Sequence, residues 1–244
     1  MNSWTAFRGI LAKDMRAYYL KPPNISWGLI FPIAWTLMFF VRSGSPVELT
    51  DVLPGVVVLS ILFGTTSMLA VTITFERRSR SFERLLLAPI SLSLLIGAKT
   101  AGAIVFGVIN ALIPMIWASF LLDLSGTNWA LLLVGVTLTA IASTFLGLFV
   151  AVSVREVFEA QTFSNFFRFP MLFLSGLFIP VAALPFYLRP ISYILPPTYG
   201  TDIIRMATTG RAVMPLGLSL PVLMVLIVLL FLGSMSNVKK KWIL

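Results

Sequence analysis

The chain has 244 residues, 58% of them hydrophobic and 11% charged, against about 25% charged in a soluble domain. A mean hydropathy of +0.97 places it with multi-spanning membrane proteins. Its 18 Lys plus Arg against 9 Asp plus Glu fit basic loops facing anionic lipid better than a nucleic-acid surface. With no His and no Cys, disulfides, thiol catalysis, imidazole metal sites and a Ser-His-Asp triad are excluded.

Residues 1–21 are too charged for a secretory signal and run directly into Pro22-Pro23. Ser3 can cap a helix here, and Trp4, Phe7, Leu11, Met15 and Tyr18 recur at helical spacing while Arg8, Lys13 and Arg16 take other faces. Such a stripe lies in a membrane interface, the other reading being a frayed tail. Crossing a bilayer core of about 30 Å takes roughly 20 apolar residues. Runs of that kind predict six spans, at 22–41, 53–75, 100–122, 129–153, 169–180 and 214–236. The basic residues cluster in 8–21, 77–99, 155–168 and 239–241, leaving Arg42, Arg189, Arg205 and Arg211 on the other side. That asymmetry puts both termini in the cytoplasm of a plasma-membrane protein. The whole chain, 1–244, reads as a single all-α polytopic membrane domain.

The segment from Glu76 to Lys99 exceeds what a turn between two helices needs. It opens on Glu76, Arg77, Arg78, Arg80, Glu83 and Arg84, with Phe82, Leu85 and Leu86 as an apolar face and Pro89 as a stop. Two readings fit: a short amphipathic helix that docks on a protein, or a basic loop that fixes topology. From Leu174 to Arg205 the chain stays apolar and aromatic, yet Pro180, Pro185, Pro190, Pro196 and Pro197 break it. Broken backbone at membrane depth must be buried or line a wet cavity, so 181–205 reads as re-entrant half-helices; the alternative is an irregular outer loop. Asp202 and Arg205 stand at i and i+3 and can pair on one helix.

The spans lack the intramembrane carboxylates that ion-coupled carriers use, and no channel-filter motif is present. Gly97-Ala-Lys99-Thr100 lacks the glycines of a Walker A loop, so no ATP site lies on the chain. Active transport would then need an outside motor. Ser143, Gly147 and Ala151 form a small-residue stripe suited to packing within the chain or between subunits. Asn110 with Pro114 either opens a path or only kinks a packed helix, and Phe166, Phe167 and Phe173 either line a substrate path or face lipid and core.

In Glu76-Arg77-Arg78, Phe82-Glu83-Arg84-Leu85 and Ala88-Pro89, followed by Ser175-Gly176, Pro180, Leu184-Pro185, Pro197-Thr198-Tyr199 and Asp202-Ile203-Ile204-Arg205, the chain resembles permease subunits of ABC-2 type exporters. Ser81-Phe82 stands where that family commonly has Gly-Thr. The resemblance implies an exporter of two permease copies and two separate ABC ATPase subunits that bind ATP and Mg, with no cofactor on this chain. It makes 1–21 a connecting helix and 76–89 a coupling helix that sits on the ATPase, through Glu76, Arg77, Arg78, Phe82, Glu83, Arg84 and Leu85. The outer gate would comprise Ser175, Gly176, Pro180, Pro185, Pro197, Tyr199, Asp202 and Arg205. The substrate would be a lipophilic drug, a lipid or a lipid-linked glycan. The competing class is a motor-free pore or a scaffold for a membrane complex.

Overall fold

The computed structural model describes residues 3–21, 30, 33–34, 37–38 and 49–242. The first expected span, 22–41, lies almost wholly outside the described residues. What is described is helical, with no strand. Helix α1 (Ser3–Asp14) continues as a π-helical turn, Met15–Tyr19. Helix α2 (Leu49–Arg78) is followed by the short α3 (Ser81–Leu86). Then come α4 (Leu92–Ser119), α5 (Trp129–Ser153) and α6 (Val157–Leu174). A 3-10 turn at Val181–Ala183, α7 (Arg189–Ser192) and α8 (Pro196–Thr209) lead to α9 (Leu216–Trp242).

Four of these, α2, α4, α5 and α9, are long and apolar enough to cross a membrane, with mean hydropathies of 2.0 to 2.7. Their ends carry recognisable punctuation. The Ser91 and Asn128 side chains accept from the backbone N–H of Leu94 and Leu131 at 3.3 and 3.0 Å, capping α4 and α5. Helix α4 therefore starts at Leu92, well before the apolar run at 100, and takes Lys99 inside it.

Helix α6 departs most from the sequence expectation of a span at 169–180. It begins at Val157 and ends at Leu174. Glu159 Oε2 accepts from the N–H of Arg155 and Glu156 at 2.9 and 3.2 Å, which fixes the start. Those two bonds also hold the Glu159 carboxyl below its usual range. The end is set by Gly176 at φ 72°, a left-handed position where a side chain would be strained.

Helix α2 is the hub and packs against α4, α5, α6 and α8, while α9 lies outside on α5 and α8. The small-residue stripe of α5 packs on α2 within the chain. A Cβ at Gly147 would stand 2.5 Å from the Thr66 carbonyl oxygen, and the Thr66 hydroxyl donates to the Ser143 carbonyl at 3.1 Å. One apolar cluster, around Tyr19, Leu69, Phe82, Phe106 and Leu148, fills the end that carries both described termini. A second, around Val57, Met115, Leu172 and Ile204, fills the opposite end. Leu218, Val225, Leu229 and Leu232 of α9 remain exposed, a face that suits hydrocarbon and not water.

Candidate functional site

At the terminal end, charges from three distant parts of the chain meet. Helix α1 delivers Lys13 and Asp14, α2 delivers Glu76 near its end, and α4 delivers Lys99. Asp14, Glu76 and Lys99 are all but sealed from solvent. The Lys99 Nζ lies 3.1 Å from Asp14 Oδ2 and bonds to Glu76 Oε2. Lys13 Nζ lies 2.8 Å from Asp14 Oδ1 and also bonds to Glu76. Two cations thus balance two anions, so the knot is neutral, and burial without that balance would be strongly unfavourable.

The π turn Met15–Tyr19 follows directly on Asp14. It swings Tyr19 fully inside, against Phe106 at 5.3 Å between ring centroids. Burial, then the Asp14 and Glu76 charges, push the Tyr19 hydroxyl well above its ordinary pKa. For Lys13, burial pulls the pKa down, but hydrogen bonds to Asp14 and Glu76 more than offset it, and the net shift is upward. A raised lysine pKa contributes stability that is complete below the ordinary value of about 10.5 and is lost only as pH rises through the folded value. Lys13 therefore holds α1 in place across the physiological range.

These placements separate the residues that sequence reading grouped together. Glu76 is internal to the knot and offers nothing to a partner. Arg78 pairs with Glu156 at the start of α6. Arg77 stacks on Trp242, 5.0 Å from the ring centroid. Arg80, at φ 57°, is the left-handed residue that turns the chain from α2 into α3. Phe82 is buried edge-on to Trp242 at 5.0 Å, and Leu85 packs on the same cluster. Glu83 and Arg84 face outward, with no ion pair among the described residues. The short helix is thus pinned on one face and open on the other.

At the opposite end the proline-broken segment is satisfied by its own side chains. Arg189 donates to the Leu184 and Ala182 carbonyls at 3.0 and 2.7 Å. Thr198 donates to Ser192 O at 2.6 Å and Tyr199 to Tyr193 O at 2.7 Å. Ser175, Gly176 and Pro197 are buried, while Pro180 and Pro185 are exposed.

The expected Asp202–Arg205 pair does not form. Asp202 instead accepts from the N–H of Val213 and Met214 at 2.6 and 3.2 Å and from the Ser219 hydroxyl at 3.0 Å, anchoring the start of α9. Arg205 donates to the Gly176 carbonyl at 2.8 Å, across to the end of α6. Helix spacing allowed the pair, but each side chain finds orphaned backbone groups at a neighbouring helix end. Asp202→Ala strands several donors, so it is expected to cost about 2–3 kcal/mol, read as a lower melting midpoint in detergent. Swapping the two charges restores nothing; recovery by the swap would reinstate the pair.

Of the candidate path residues, Asn110 is buried and donates to the Phe106 carbonyl at 3.0 Å. It packs against Gly64 of α2, so it braces the α2–α4 contact. Phe166 is 68% exposed, Phe173 lies exposed on the same face of α6, and Phe167 is half-buried against Phe149. Among the described residues no cluster of Asp, Glu, His or Cys could hold a metal ion.

In this bundle buried polar residues bind helices to one another along and at the ends of long apolar spans, the construction of a membrane-embedded permease. The ABC-2 type transporter family model matches residues 5–208, and the chain belongs to that family. It is 23% identical over 250 residues to the inner membrane transport permease YadH of Escherichia coli K12, covering 97% of this chain and 96% of that protein. It is 28% identical over 195 residues to nodulation protein J of Rhizobium leguminosarum bv. viciae, covering 74% and 72%. The chain is a multi-pass membrane protein and a transport permease subunit, of a family that generally works with ABC ATPase partners.

Proposed function

We propose that this chain is the permease half of an ATP-driven exporter that moves a lipophilic drug, a lipid or a lipid-linked glycan out of the cell. Two copies carry two ATPase subunits, which supply the ATP and Mg chemistry. Six spans cross the plasma membrane with both termini in the cytoplasm, and the segment 181–205 dips back as an outer lid. The terminal end of the bundle is then the cytoplasmic end. Residues 76–89, ending α2 and including α3, take the push of the motor, and α1 rides on them through the buried charges.

The observation that carries this reading is the two-faced α3. Phe82 is sealed into the helix ends while Glu83 and Arg84 face outward, an arrangement suited to passing force from a docked protein into the spans. The test is co-purification of the tagged chain from its native membrane. An ATPase subunit with Walker motifs is expected to come with it, and the complex in liposomes should hydrolyse ATP and move substrate together. A chain that purifies alone and conducts passively would replace the exporter with a motor-free pore.

A further inference from the structure

We propose that Arg168 is where this permease recognises an anionic group, a phosphate or a carboxylate, on the molecule it moves. This deepens the exporter reading by naming the charge of the substrate.

Arg168 lies past the middle of α6 (Val157–Leu174), on its buried face with Met171 and Leu172, and is 2% exposed. Its guanidinium carbon sits 4.1 Å from the centroid of the Phe63 ring on α2. One terminal nitrogen donates to Asn165 Oδ1, while the buried Nε has no acceptor among the described residues. No carboxylate among the described residues pairs with it. Asp14 and Glu76 are held by lysines, Glu156 by Arg78, and Asp202 by the start of α9.

Among the described residues, a ring face and one amide oxygen are a thin environment for a full charge out of water. A neutral side chain of similar volume would pack there at lower cost. A cation kept at membrane depth without a counter-charge marks a place where one arrives. The planar guanidinium, with donors to spare, matches the paired oxygens of a phosphate or carboxylate.

The test uses the purified full chain in a neutral maltoside detergent, with unfolding followed by tryptophan fluorescence. The probes are dodecyl phosphate, laurate, dodecanol, dodecyltrimethylammonium and inorganic phosphate. Dodecyl phosphate and laurate are expected to raise the melting midpoint of the wild type in a concentration-dependent way, and dodecanol and the cationic amphiphile are not. An equal rise with inorganic phosphate would assign the site to the free anion; a rise confined to the amphiphiles assigns it to a headgroup. Arg168→Gln should bind the anions roughly 10–100-fold more weakly while melting, without ligand, no lower than wild type. Arg168→Lys should retain part of the response. An unchanged response in Arg168→Gln, or no anion-specific rise in the wild type, overturns the proposal. The readout needs no ATPase, so failure of the co-purification and failure of the anion site are seen separately.

Discussion

Lys99→Met is expected to lower stability by about 3–5 kcal/mol, because it leaves Asp14 and Glu76 buried with only the half-exposed Lys13 between them. Folded proteins have about 5–15 kcal/mol to lose, so the variant should express poorly and melt at least about 6 °C lower in detergent. Releasing Asp14 also frees α1, and trypsin should then cut faster after Arg8, Lys13 or Arg16. Asp14→Asn combined with Lys99→Met should recover part of the loss, since Lys13 and Glu76 remain as a balanced pair. A Lys99→Met chain that melts with the wild type and resists trypsin would show that the knot does not hold the N-terminal helix.

Glu83→Arg is expected to leave insertion and folding intact and to separate ATP hydrolysis from transport. Glu83 is exposed on α3 and forms no ion pair among the described residues, its Arg77 neighbour acting only through space, so reversing it breaks no internal ion pair and acts mainly on what docks there. A reversed charge at a complementary surface should weaken docking of the motor by roughly 10–100-fold. Substrate-stimulated ATPase activity and transport in liposomes, with the motor purified separately, give the readout. Arg77 and Arg78 are poorer probes, because one covers Trp242 and the other holds Glu156. Unchanged coupling in Glu83→Arg and in Arg84→Glu would move the docking point to the turn at Glu156 and Glu159.

The long elements were legible because composition alone marks them. Helices α2, α4, α5 and α9 overlie uncharged runs, and the proline-dense stretch after Gly176 does break the helix. The knot was not legible. Asp14 and Lys99 stand 85 positions apart and Glu76 and Lys99 23 apart, with no periodicity to announce their meeting. Reading every charge as the edge of a span also hid Arg168, which then seemed to flank a helix that in fact runs through it. The start of that helix was signalled by Glu159 lying three residues after Glu156, a spacing that favours a capped helix start over a loop. Asp202 and Arg205 show the converse error: the spacing that permits an ion pair cannot weigh the backbone groups of other elements that compete for each charge.

The neutrality of the buried knot has an electrical consequence. Work against a membrane potential is about 2.3 kcal/mol per elementary charge per 100 mV, and it depends on net charge moved. Two lysines travelling with two carboxylates move none, so the knot itself adds no voltage dependence to a shift of the helix ends it ties together. Arg168, unpaired among the described residues, is coupled to that voltage when empty and released from it when an anion sits beside it. Loading then sets the charge that any motion of the Arg168 side chain carries: one positive charge when vacant, none with a monovalent anion beside it.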